Sequence, residues 1–365
     1  MRHLTYDISE EAYHAKPFDF YFSDMSCGAF DIETTGLSPD RCYVILIGFM
    51  KISDGVCRLH QYFADSLSEE ADIIRAFLRD AEDTDVLITY NGRSFDIPFL
   101  EKRMSRYPDL SEKRLLFYDL DLYPMLKKHS PLKNFLPNLK QKTVEDFMGL
   151  WDTREDEISG GESVDLYFRY LACRDGSPSA GEGPDSDEIL ELILCHNRDD
   201  VLQLSRLLPV LNKADLHGAM YDTGFPLKIS PPEQNETGKG PGGLQEQVIL
   251  VDKISITPRS LEVYGKQQYN GTDHMIFESP ETPYTFSMDS VEMSIRASVP
   301  LLSHESMNDI FIADLRPLGI DEGPFASYPQ FSDGLLVLKE GKDVNHLQTV
   351  HFVREFLEKV LCGIC

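Results

Sequence analysis

The stretch "AFDIETTGL", residues 29–37, places two carboxylates, Asp31 and Glu33, one residue apart inside an apolar run. Alternate side chains of a strand point to opposite faces. Asp31 and Glu33 therefore share one face, while Phe30 and Ile32 share the other. Two ionised carboxylates about 5–7 Å apart repel, and each raises the pKa of the other unless a cation neutralises them. A divalent metal does this at least cost, and an all-oxygen ligand set suits Mg²⁺ or Mn²⁺. The "TTGL" that follows turns the chain at the end of the strand, and Gly36 leaves room for a substrate to approach the backbone.

Two further motifs supply acids in unusual settings. In "YNGRSFDIPFL" (90–100), Asp96 follows a strand and an Asn-Gly turn and opens a helix, whose free N–H groups and dipole orient a carboxylate. In "CHNRDDVLQL" (195–204), His196 and Asp200 stand four apart on a long helix and so share a face. Ile189, Ile193, Leu204 and Leu207 lie on the same face, so the polar pair interrupts an apolar stripe. Asp199 projects about 100° away and is the weaker candidate.

"FDIETTGL", "NGRSFDIPFL" and "HNRDDV", in this order, resemble the three motifs of the DEDD 3′–5′ exonuclease superfamily, which has the ribonuclease H-like fold. The wording is closest to the bacterial YprB-like branch of predicted exonucleases, and the likeness covers about residues 25–212. It implies that Asp31, Glu33, Asp96 and Asp200 are metal ligands. Two divalent cations, Mg or Mn, about 4 Å apart, would clamp the scissile phosphate and release nucleoside 5′-monophosphates from a single-stranded DNA or RNA 3′ end. The family places a Tyr four residues before the last Asp, or a His five before it; here a His stands four before. His196 is expected to act as general base for the attacking water, or only to orient it. The resemblance also assigns Thr34, Thr35, Leu37, Asn91 and Phe95 to the terminal nucleotide, with Leu37 or Phe95 against its base. A non-catalytic nucleic-acid-binding module on the same fold and a structure-selective endonuclease are the alternatives.

The chain of 365 residues carries a net charge of −26, which argues against a broad phosphate-binding surface. Between Gly92 and Lys142, however, eleven Lys/Arg face six Asp/Glu. Within that span "KKHSPLKNFLPNLKQK" (127–142) has five lysines and no acid, and Lys140 in it is a candidate for the nucleic-acid backbone. The N-terminus lacks an apolar core of signal-peptide length, and no run is long enough to span a membrane. Seven scattered cysteines fit reduced thiols in a cytoplasmic protein. The C-terminal "CGIC" lacks two further ligands for zinc.

Alternating strand and helix signals predict an α/β fold with a mixed β-sheet flanked by helices, which the resemblance implies is ribonuclease H-like, followed by a smaller β-rich domain with a C-terminal helix. The expected divisions are an N-terminal extension (1–24), the exonuclease domain (25–220), a Pro/Gly-rich linker (221–244) and an acidic β-rich accessory domain (245–365). Self-association or recruitment of a protein partner is the expectation for the last. A capping box is predicted at Ser66 and Glu69, and a surface loop over 174–187.

Overall fold

The computed structural model describes residues 1–53, 55–150, 153–155, 158, 160–175, 185–229, 247–267, 275–278, 282–289, 291–303 and 309–364. Most of the predicted linker and the centre of the 174–187 loop lie outside these residues. Two compact units emerge, Met1–Ala214 and Asp215–Cys365.

The first unit is built on a mixed six-stranded sheet. Its strands are β1 (Arg2–Glu10), β2 (Cys27–Thr34), β3 (Val44–Lys51), β4 (Gly55–Phe63), β5 (Val86–Thr89) and β6 (Tyr118–Asp121), in the order β1-β4-β3-β2-β5-β6. From β1 through β2 the neighbours are antiparallel, and β2, β5 and β6 run parallel. This is the layered α/β arrangement that the alternation of elements predicts.

Helix α1 (Lys16–Phe22) precedes β2. Helices α2 (Glu70–Asp80) and α3 (Asp96–Met104) supply Ile73, Ile74, Phe77, Phe99 and Leu100 to a core with Phe30 and Ile32 of β2. On the other side, α6 (Gly160–Arg174) and α7 (Ser186–Leu207) pack Tyr167, Tyr170, Ile189 and Ile193 on Ile45, Leu46 and Phe63. Between them in sequence lie α4 (Leu122–His129) and α5 (Gln141–Met148).

Several local features differ from the sequence-based expectation. The segment set apart as an extension contains β1, which pairs with β4 from Arg2↔Phe63 to Glu10↔Gly55. Leu4, Tyr6 and Ile8 alternate with exposed Thr5, Asp7 and Ser9 and are only half-buried, as befits an edge strand. The capping box at Ser66 does not form. The Ser66 hydroxyl meets that of Ser68, and Glu69 accepts the amide of Asp65, because a turn of 3₁₀ helix (67–69) precedes α2. A complete capping box stands instead at the start of α7, between Asp185 and Glu188.

The second unit begins with α8 (Leu216–Thr223) and β7 (Phe225–Ile229), so residues 215–229 belong with it. Strand β7 pairs with β8 (Gln247–Ile256), which pairs with β9 (Ser260–Gln267). With β10 (Met275–Glu278), β11 (Thr285–Asp289) and β12 (Ser294–Pro300), these make a six-stranded antiparallel sheet. A smaller antiparallel sheet joins β13 (Leu302–Ser303), β14 (Ile310–Asp314), β15 (Phe331–Ser332), β16 (Leu335–Glu340) and β17 (Asp343–Val344). Helix α9 (His346–Ile364) closes the chain, burying Val350, Phe352, Val353, Phe356 and Leu357.

Candidate active site

Strand alternation turns Phe30 and Ile32 toward α2 and leaves Asp31 and Glu33 on the face that α7 covers. The helix can come close because β3 has Gly48 directly opposite Asp31. A Cβ on Gly48 would fall 2.3 Å from Asn197 Oδ1 of α7. Asn197 is fully buried, and its Nδ2 donates to Asp31 Oδ2 at 3.0 Å. Gln61 Nε2 of β4 donates in turn to Asn197 Oδ1 (2.9 Å) and to the Leu194 carbonyl (2.8 Å). This chain of amides sets the rotation of α7 against the sheet.

That rotation decides where each acid of "HNRDD" points. His196 Nε2 lies 3.6 Å from Glu33 Oε1 and 3.7 Å from Asp200 Oδ2. Asp199, also buried, turns away and accepts the backbone amide of Glu155 at 2.6 Å. Asp96 enters from the first turn of α3, beyond the Asn-Gly turn. Asn91 there takes the left-handed conformation (φ 67°), which Asn tolerates better than most residues. Asp121, at the end of β6, accepts the amides of Asn91 (2.7 Å) and Arg93 (3.1 Å) and so holds the turn that delivers Asp96. Asp119 accepts the Thr89 hydroxyl at 2.7 Å, a supporting rather than an exposed role.

Asp31, Glu33, Asp96, His196 and Asp200 all line one cavity of about 680 Å³. Thr34, Leu37, Asn91, Phe95 and Lys140 line it too. Leu37 stands 85% exposed at its lip. Thr35 is not among the lining residues; its hydroxyl accepts the Tyr43 amide at 2.9 Å and braces the turn after β2.

The electrostatics are those of crowded acids removed from water. Desolvation, then the charges of Asp200, Asp96 and Glu33, push Asp31 well above the usual carboxylate range, against the hydrogen bond from Asn197. Burial pushes Asp96 up to about 7, opposed by the backbone N–H groups of Asp96 itself and Ile32. Protonation, or a cation, relieves such a cluster.

The donor set fits a divalent cation. One ligand atom each from Glu33, His196 and Asp200 lie within 4.8 Å of one another, and Asp31 and Asp96 line the same cavity with further oxygens. Oxygen-rich coordination of this kind suits Mg²⁺ or Mn²⁺.

One strong cation was not apparent from the sequence. Arg154, in the segment between α5 and α6, donates to both oxygens of buried Glu145 and, through Nη2, to Asp200 Oδ1 at 2.6 Å. Asp200 thus divides its oxygens, Oδ1 toward Arg154 and Oδ2 toward His196. Arg154 lies in "LWDTREDEISG" (150–160), a stretch that reads as an acidic loop. Glu145, which aims it, is close in the chain, but the contacts of Arg154 with Asp200 and of Glu155 with Asp199 join segments 46 and 44 residues apart.

A model of the RNase_H superfamily matches residues 29–212, which takes in all three motifs. The chain is 27% identical over 212 residues to the "Uncharacterized protein YprB" of Bacillus subtilis (strain 168), a match covering 58% of this chain and 45% of that protein. The similarity thus spans about half the length of that relative. The family B DNA polymerase of the hyperthermophilic archaeon Pyrobaculum calidifontis superposes with a TM-score of 0.38 and 20% identity, over 54% of this chain and 26% of the polymerase. No helix among the described residues is long and apolar enough to cross a membrane. With half of its length matched by the family model, all three motifs included, the chain belongs to the RNase_H superfamily.

Proposed function

We propose that the first unit is a metal-dependent 3′–5′ exonuclease that hydrolyses phosphodiester bonds at single-stranded DNA or RNA ends. The observation that carries this reading is the convergence of Asp31, Glu33, Asp96 and Asp200, from three separate motifs, on one cavity with His196. These four carboxylates would hold two Mg²⁺ or Mn²⁺ ions. Bound there, the cations would polarise the scissile phosphate and stabilise the charge on the leaving 3′ oxygen.

The chain's own groups do the rest. His196, with Nε2 turned toward Glu33 and Asp200, accepts a proton from the attacking water or orients it. Asn197 keeps Asp31 in place. Lys140, exposed at the rim, and Arg154 supply positive charge where the phosphodiester backbone enters. Leu37 and Phe95 offer apolar surface to the terminal base. In this proposal the β-rich accessory region, 245–365, serves self-association or a protein partner, and the enzyme works in the cytoplasm.

The test uses 5′-labelled single-stranded DNA and RNA oligonucleotides with Mn²⁺ or with EDTA, resolved on a sequencing gel. A metal-dependent ladder shortening from the 3′ end is the expected result, and it selects the sugar. Cutting of a circular single strand would replace the exonuclease with an endonuclease. Binding without cleavage of any substrate would reduce the unit to a nucleic-acid-binding module.

A further inference from the structure

The opposite face of the same sheet holds a second convergence of metal-ligating side chains. Gln61 of β4 turns toward α7, so its neighbours His60 and Tyr62 point to the other face, under α2. The β1–β4 register sets His3 opposite Tyr62 and Thr5 opposite His60. His3 therefore reaches the same patch as His60, and Asp80, the last residue of α2, completes it.

His3 Nε2 and His60 Nδ1 are 2.9 Å apart, and Asp80 Oδ2 lies 3.9 Å from His3 Nε2. The three ligand atoms all fall within 4.8 Å of one another. The Tyr62 hydroxyl donates to Asp80 Oδ2 at 2.8 Å and orients that carboxylate. The patch is open to solvent, with the side chains of His3 and Asp80 exposed by 32% and 24%.

We propose that His3, His60 and Asp80 form a transition-metal site, filled by Zn²⁺ and separate from the acid cluster. Two imidazole nitrogens and one carboxylate oxygen form a borderline donor set that favours Zn²⁺ over Mg²⁺ or Ca²⁺, and a water would take the fourth position. Zinc bonds of about 2.0–2.2 Å at tetrahedral angles put ligand atoms roughly 3.3–3.5 Å apart. Two of the separations, 2.9 and 3.9 Å, bracket that range and the third is under 4.8 Å, so side-chain shifts of about an ångström suffice. The ligands come from an edge strand, its neighbour and a helix end. A bound ion would pin β1 and the end of α2 to the sheet and so add to folding stability.

The experiment is equilibrium dialysis of the full chain against Zn²⁺ in excess Mg²⁺, which occupies the oxygen-rich acid cluster, with bound metal counted by mass spectrometry. Wild type and Asp31→Asn are expected to retain the same single Zn²⁺. His3→Gln, on the exposed edge, and His60→Ala should each weaken binding by about 100-fold or more, and Tyr62→Phe by about 10-fold. Circular dichroism confirms that each variant is folded. Co²⁺ in place of zinc should give the visible absorption of a low-coordinate site in wild type, and none in folded His3→Gln. The proposal is overturned if wild type retains no zinc under magnesium, if folded His3→Gln binds as wild type does, or if Asp31→Asn loses the ion, which would place the zinc among the acids.

Discussion

Glu70 and the motif acids, carboxylates of the same unit, have opposite fates. Glu70, fully buried at the start of α2, accepts the Val44 amide (2.7 Å), two Arg103 guanidinium bonds (2.8 and 2.7 Å) and the Tyr107 hydroxyl. Arg103 also donates to the Pro39 carbonyl at 3.0 Å and lies over the Tyr43 ring. This network ties the loop after β2 to two helices. The motif acids face one another across a cavity instead, and burial together with repulsion from neighbouring carboxylates drives Asp31 and Asp96 toward protonation. A buried carboxylate saturated with donors holds structure; a group of them left short of positive charge is organised around something that arrives later.

The comparison breaks most sharply if the acids prove structural. Asp31→Asn is expected to lower turnover by on the order of 10³-fold or more, the several kcal/mol that metal ligation contributes. It should not lower the melting temperature of the metal-free protein, since one repelling charge is gone. Glu70→Gln should do the reverse: a loss of about 3 kcal/mol in urea unfolding, as Arg103 is left buried without its counter-ion, with turnover of the folded protein within a few-fold of wild type. Arg154→Ala sits between the two groups. Loss of a charge-assisted contact predicts a fall of roughly 10–100-fold in kcat/KM, with Arg154→Lys intermediate.

The pH dependence sharpens the contrast further. The folded-state pKa of Asp96, about 7, lies above the unfolded carboxylate value of about 3.9. Between these the native state holds more protons than the unfolded chain, so stability falls as pH rises through that window. The metal-free protein should therefore melt at a lower temperature at pH 8 than at pH 6, and Mg²⁺ or Mn²⁺ should narrow the difference. Scanning calorimetry at the two pH values, with and without metal, checks this. The smallest effect is expected at Leu37. Its truncation to Ala removes an exposed contact worth little to the fold, and should raise KM for an oligonucleotide by about fourfold.

Much of the site was legible because local periodicity places it. A period of two puts Asp31 and Glu33 on one face, and a spacing of four puts His196 and Asp200 on another. The helix start after Asn-Gly presents Asp96. Arg154, Asn197 and Gln61 were not legible, since each acts through a partner far away in the chain. Arg154 owes its aim to Glu145 and Asp200; Asn197 and Gln61 owe theirs to the close approach of α7 that Gly48 permits. Strand β1 carries its own period of two in Leu4, Tyr6 and Ile8, but its membership of the sheet depends on pairing with the distant β4.

The amino-acid sequence by itself therefore determined the alternation of elements, the mixed α/β class and the four motif acids, because strand and helix periods are properties of neighbouring residues. Only the tertiary structure decided which cation meets Asp200, which amides hold Asp31 and which histidines gather on the far face of the sheet. Those outcomes depend on helix rotation and strand register, which long-range packing sets.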